Sequence, residues 1–434
     1  MSTIPQVSEA IHTVLSSVAD EAARQTGFVR RHRRLKGSTF VQTLVLGWLG
    51  NPDASLEELT QTAAALGVDI SPQGLDQRFN REAALCLEQV LSASVSQLVA
   101  SESVSIPILE RFSAVVIQDS STVVLPDSLK EIWQGCGGTN SYGVSAVKLQ
   151  VRWDLSTGAL MGPMLEHGRS HDSSCMLQWS GLMAGGLRIT DLGYFSLDAF
   201  NELDAKGAYF LSRLKVGTKL YDEHGEELEL PKALGSSVDM PVQLGRLKRL
   251  RARLIALPVP KEVSAQRRRR LRDEARKKGH TPSKTRLALC DWTVLITNVP
   301  QSLLYLDEAL IMMRVRWQIE LLFKLWKQYG KIDEWRSAKP WRILCELYAK
   351  LVAMLIQHWI LLVGFWAYPD RSMVKGAQTV RAHAIVIASA MAGLLELSLV
   401  VEQIRRCLAF RCKMNWRLKE PNTFQLLLEF AHDA

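Results

Sequence analysis

Two short runs rich in β-branched residues, each closing on an aspartate, limit what this chain can fold into: Ser113–Asp119 (SAVVIQD) and Leu187–Asp191 (LRITD). β-Branched side chains suit a pleated, half-buried surface. Val144–Trp153 alternates in part, as a strand does, and Ala208–Leu214 reads as a further strand. Residues 196–206, between the second and last of these, have helical spacing instead. The middle of the chain is therefore predicted to be α/β, with acids at strand ends, where an open sheet usually places its chemistry.

The flanks read differently. The first hundred residues are helical in pattern, with an apolar stretch over 38–50 that stops at Gly50-Asn51-Pro52. Ser55 followed by Glu58 is a capping box for the next helix, Gly67 closes it, and Ser71 with Pro72 opens another. Helix, turn, helix suits a DNA-binding unit, with Gln73, Gln77, Arg78 and Asn80 facing DNA; any helical hairpin shares the pattern, so both readings stand. Upstream, Arg30, Arg31, Arg33, Arg34 and Lys36 form a basic run. Residues 304–328 read as one long helix, and the chain after 340 is again helical, with a basic patch at Arg405, Arg406, Arg411, Lys413 and Arg417. Residues 347–368 are long and apolar enough to span a bilayer. Lys350, Gln357 and His358 would be costly in lipid, so a buried core helix is expected and no membrane partner. The N-terminus shows no signal-peptide pattern. The seven cysteines form no CxxC pair, which suits reduced thiols in a cytoplasmic protein and no zinc site.

Charge is distributed unevenly. The 434 residues carry a formal +9, yet residues 246–286 alone hold sixteen Lys and Arg against three acids, so the rest of the chain is net negative. This segment sits inside a stretch, 216–300, that reads as a β-rich insertion broken by a basic helix containing Arg267, Arg268, Arg269 and Arg270. A concentration of this kind points to phosphate contact and a nucleic-acid partner.

The last constellation lies on the predicted 304–328 helix. At 100° per residue, Arg316, Glu320 and Lys327 share one face. Spacing alone also suits a simple Arg316–Glu320 ion pair. The stretch MRVRWQIELLFKLWK (313–327), however, resembles the Tyr-x2-Arg-x3-Glu-x6-Lys signature of the insertion-sequence family 4 transposases, with Met313 at the tyrosine position. VVIQDSST around Asp119 resembles the strand bearing that family's first aspartate. DLGYFS from Asp191 resembles the block around the second, and KGAYFLSRLK (206–215) the strand after it.

This resemblance implies a ribonuclease-H-like α/β catalytic core with a β-rich insertion, flanked by helical N- and C-terminal regions. The divisions would be a DNA-binding domain over 1–105, a catalytic domain over 106–345 and a C-terminal region over 346–434 that contributes to a dimer. It implies Asp119, Asp191 and Glu320 as catalytic ligands of two Mg²⁺ ions, with Mn²⁺ as a substitute. Arg316, Lys327, Arg213 and Lys215 would contact the DNA backbone. Trp292 matches a tryptophan that stacks on a flipped base, although a strand core residue is an equal reading. The implied function is cut-and-paste transposition by a homodimer synapsing double-stranded transposon ends, in the cytoplasm at the nucleoid. A metal-dependent nuclease without joining, and an inactive DNA-binding descendant, are the alternatives. His167, Arg169, His171 and Asp172 read as a loop, and Asp154 as a turn residue.

Overall fold

The computed structural model describes residues 3–30, 35–137, 143–179, 181–230, 234–235, 237–366, 368, 370–415 and 423–429. Arg31, Arg33, Arg34 and Arg417 of the two basic patches lie outside the described residues. Among the described residues, nine strands form one mixed sheet: β1 (Val115–Leu125), β2 (Ser145–Asp154), β3 (Leu160–His167), β4 (Leu187–Thr190), β5 (Tyr209–Arg213), β6 (Leu220–Tyr221), β7 (Val238–Leu244), β8 (Leu250–Pro258) and β9 (Trp292–Thr297). Their order is β3-β2-β1-β4-β5-β9-β8-β7-β6. β1, β4 and β5 are parallel neighbours, and the β2–β3 pair is antiparallel. With helical segments before and after it, this is the mixed α/β, ribonuclease-H-like arrangement that the sequence implies.

The chain divides into two compact units: Met1–Ser105, Asp119–Ser170 and Gln318–Gln425 in one, Ile106–Gln118, His171–Trp317 and Leu426–Ala434 in the other. In the first, the apolar Pro340–Phe365 helix packs on the Gly37–Gly50 and Arg81–Val95 helices. That helix is long and apolar enough to cross a membrane, but 94% of its apolar window is buried inside the protein. Its lysine, Lys350, is 1% exposed and fully served. The ammonium pairs with Glu346 at 2.8 Å and donates to the carbonyls of Lys331 (2.9 Å) and Glu334 (2.8 Å). Burial pulls its pKa below the usual lysine value, against the attraction of Glu346. His358 is buried on the same helix, where desolvation lowers its pKa to about 4. Its Nε2 lies 2.7 Å from the Gly158 carbonyl, which also accepts the Trp153 indole N–H at 3.2 Å. Gly158 has φ +76°, and a Cβ there would sit 2.3 Å from Leu362 and 2.7 Å from Trp366, so only glycine fits this turn.

The capping box of Ser55 and Glu58 forms as expected. The helix opened by Ser71 does not extend as expected: Pro72–Asp76 is five residues long, and Asn80 caps a separate helix, Arg81–Val95. Gln77 and Arg78 therefore stand in a turn between helices, not on a recognition helix. Asp76 in the same segment is held by Lys339 (2.6 Å) and Arg342 (3.0 Å).

In the second unit, Phe200 stacks on Phe210 with ring centroids 4.3 Å apart, in a core with Leu244, Leu254 and Ile296. The 216–300 insertion is β-rich and contains the basic helix, Lys261–Lys277, as expected. Its strands β9, β8, β7 and β6 continue the sheet from β5 by antiparallel pairing. β3 has no counterpart among the strands expected from the sequence, because Gly162-Pro163 hides its pattern. His167 ends that strand and accepts the Gln134 backbone N–H through Nδ1 at 3.2 Å, while Asp154 closes a turn by accepting from Ser156 and Thr157. The single helix expected over 304–328 is two, Leu306–Val315 and Trp317–Gln328, interrupted at Arg316 although neither Pro nor Gly is present.

Truncating Glu346→Ala would leave the Lys350 charge buried without its counter-ion, and is expected to cost about 3–5 kcal/mol. The double change Glu346→Leu with Lys350→Met should recover most of that loss. Urea unfolding of the three proteins measures both.

Candidate active site and nucleic-acid interface

The geometry of the acids begins with strand register. β1 and β4 pair in parallel from Val115↔Leu187 to Gln118↔Thr190. Asp119 and Asp191 are the next residues along. β4 stops at Thr190, whereas β1 runs on to Leu125, so Asp119 lies where its strand loses that parallel neighbour rather than at the strand's end. The strand outlasts the expectation because STVVL after Ser120 is again β-branched and half-buried. The strand order reverses between β1 and β4, and an open sheet builds its crevice outside the carboxyl ends of strands at such a point. Asp119 Oδ1 accepts the Ser120 backbone N–H at 2.8 Å, and its side chain is half-buried. Asp191 is also half-buried, and its carbonyl closes the 3-10 turn Leu192–Tyr194 by accepting the Tyr194 N–H at 3.0 Å.

Glu320 sits in the first turn of the Trp317–Gln328 helix. Ile319, Leu322, Phe323, Leu325 and Trp326 bury the opposite side of this helix. Lys327 lies about 20° around the helix from Glu320. Its ammonium donates to the Thr122 carbonyl at 2.9 Å, which ties the helix to β1 three residues beyond Asp119. Arg316 stands at the interruption with right-handed helical backbone angles (φ −49°, ψ −32°), and Glu320 and Lys327 share the Trp317–Gln328 helix. Met313, at the family's tyrosine position, is 8% exposed and is a packing residue in this chain. Among the described residues, no three His, Cys, Asp or Glu side chains are gathered closely enough to hold a metal ion.

The cationic residues predicted from the sequence sort into two groups. Arg213, Lys215, Arg267, Arg270 and Trp292 line one cavity of about 880 Å³ in the second unit. Lys219 and Arg286, which the sequence reading did not single out, line it as well, over a floor that includes Leu214, Leu228 and Leu271. Arg267 is fixed there: its guanidinium donates to the Trp292 carbonyl (2.8 Å) and to Thr293 Oγ1 (3.1 Å). Burial, with Arg213 nearby, lowers its pKa. Arg268 pairs instead with Asp291, and Arg269 is exposed. A second residue missed earlier is Trp317, 54% exposed beside Arg316, with Leu321, 45% exposed, one turn on. The sequence could have shown it as an apolar position out of phase with the buried side of its helix.

Residues 110–356 match the transposase DDE domain family, and the chain belongs to it. This agrees with the resemblance to insertion-sequence family 4. The chain is 27% identical over 382 residues to the transposase of insertion element IS231F from Bacillus thuringiensis subsp. israelensis, covering 81% of this chain and 79% of that protein. It is likewise 27% identical over 369 residues to the IS1151 transposase of Clostridium perfringens, covering 78% and 76% of the two chains.

Removing the Arg267 guanidinium leaves the Trp292 carbonyl without that donor. Arg267→Ala is therefore expected to lose about 1–2 kcal/mol of stability, whereas Arg269→Ala should stay within about 0.5 kcal/mol. Thermal unfolding of the two variants checks this division between structural and free cations.

Proposed function

We propose that the chain is the transposase of an insertion sequence, binding the element's terminal repeats and both cutting and joining DNA. The observation that supports this reading is the β1–β4 register in a chain of the DDE family: its last pair is Gln118↔Thr190, and the two aspartates are the residues that follow in sequence. Three carboxylates supply the hard oxygen donors that Mg²⁺ prefers, and this ion retains several waters, so three acids suffice. By the family resemblance, Asp119, Asp191 and Glu320 would be the residues that hold the two ions. When bound, such a pair activates the attacking oxygen and stabilises the leaving oxygen of an in-line displacement at phosphorus.

The protein's own residues then do the positioning. Lys327, through Thr122, keeps the Glu320 helix against the strand that carries Asp119. Arg316 offsets the negative charge of the scissile region and grips phosphate. The cavity gathers Arg213, Lys215 and Arg270 around Trp292, which suits a strand whose phosphates are held at the rim while a base stacks on the indole. Gln77 and Arg78, in their turn, and the free Arg269 are further backbone contacts in this reading. Synapsis of two ends requires two copies, so a homodimer on DNA is the working form, with the C-terminal helices as its contact.

The test is an assay on a DNA fragment carrying both ends of the element, with Mg²⁺ or Mn²⁺. Wild type should nick at the ends and give joined products. Glu320→Gln should bind the ends and cut nothing. Cutting without joining would make the protein a nuclease, and end binding without cutting by wild type an inactive descendant.

A further inference from the structure

The β7–β8 ribbon ends in a tip, Gly245-Arg246-Leu247-Lys248-Arg249, that the site described above does not use. Leu247 at its apex is 97% exposed, the most exposed large apolar side chain among the described residues. Such exposure is unusual at a position that is otherwise well anchored. Gly245, at φ +82°, donates its N–H to the Lys219 carbonyl at 2.9 Å. The Arg249 guanidinium lies over the Tyr221 ring, 3.2 Å from its centroid, and Arg249 itself adopts φ +48°. Lys248 pairs with Asp198. Three separate ties thus hold the tip and leave the leucine projecting. Holding the backbone on both sides of Leu247 in advance lowers the entropy cost of using it in a contact.

The surroundings select the partner. Arg246 beside the apex and Arg251, in the second residue pair from the tip, are exposed, and the tip begins the 246–286 segment that holds sixteen cations against three acids. An apolar partner groove would gain nothing from these charges, whereas a duplex uses both parts. Phosphates take the arginines, and an apolar side chain can enter between base steps from the minor groove, partly unstacking them and bending the helix.

We propose that Leu247 is a wedge that opens a base step in duplex DNA and kinks it, with Arg246 and Arg251 on the flanking phosphates. This rests on the DNA-binding part of the proposed function and adds to it a deforming contact outside the acidic site. A wedge binds best where unstacking has already been done, so DNA distorted in advance is the discriminating probe.

The experiment compares the full chain on two 40-base-pair duplexes of one sequence, one perfectly paired and one with a central two-base mismatch. Wild type should favour the mismatched duplex by about tenfold. Leu247→Ala should abolish that preference while changing affinity for the perfect duplex by less than about threefold, and Leu247→Phe should keep it. Leu247 is almost wholly exposed, so truncation should leave thermal stability unchanged, which separates lost wedging from misfolding. Arg246→Ala with Arg251→Ala should weaken both duplexes alike and reduce the salt slope by about two phosphates' worth. A mismatch preference that survives in Leu247→Ala, or its absence in wild type that binds both duplexes, overturns the wedge alone. No binding to either duplex overturns the DNA-binding reading with it.

Discussion

Four backbone pairings, Val115↔Leu187 through Gln118↔Thr190, hold β1 beside β4, and the placing of both aspartates depends on them. Side chains alternate faces along a strand, so a slip of one residue would turn Asp191 to the opposite side of its strand. Register is fixed by what these strands bury. Val115, Ile117, Leu187 and Ile189 are fully buried, and Val116 belongs to the core that Phe200 and Phe210 organise. A hydrophobic pattern with no catalytic content thereby sets the position of the catalytic candidates. The third acid is placed differently, by a helix whose buried side fixes its rotation and whose Lys327 reaches a strand carbonyl.

The basic character of the chain also divides by physical role. Lys350 is consumed by a buried pair and two carbonyls, Arg267 by the start of β9, and Arg268 by Asp291. A charge count credits all of these to a polyanionic partner. Exposure restricts that credit to residues such as Arg213, Lys215, Arg246, Arg251, Arg269 and Arg270. Of the Arg267–Arg270 run, then, the first two members are tied to the chain's own atoms and the last two are exposed.

Local chemistry was legible in the sequence where one signal sufficed. β-Branched runs located β1 and β4, and the Ser55–Glu58 box located its helix start. Signals failed where two local rules conflict or where tertiary contacts decide. Gly162-Pro163 speaks against the strand that β2 nevertheless pairs with. Nothing in RVRWQ announces the break at Arg316, whereas Gly74, a poor helix former, sits inside the short Pro72–Asp76 helix. The acids were found as residues, through spacing and family resemblance, but the register that relates two of them required the sheet. Leu247 shows the same limit from the other side, since its sequence neighbours do not reveal that the apex stands in solvent.

The most direct test of the central claim is Mn²⁺ binding followed by electron paramagnetic resonance, with terminal-repeat DNA present. The account predicts two ions per wild-type chain. It predicts a clear loss of occupancy in Asp119→Asn, with DNA affinity retained. Two ions bound equally well by wild type and Asp119→Asn would contradict it, because Asp119 would then hold neither.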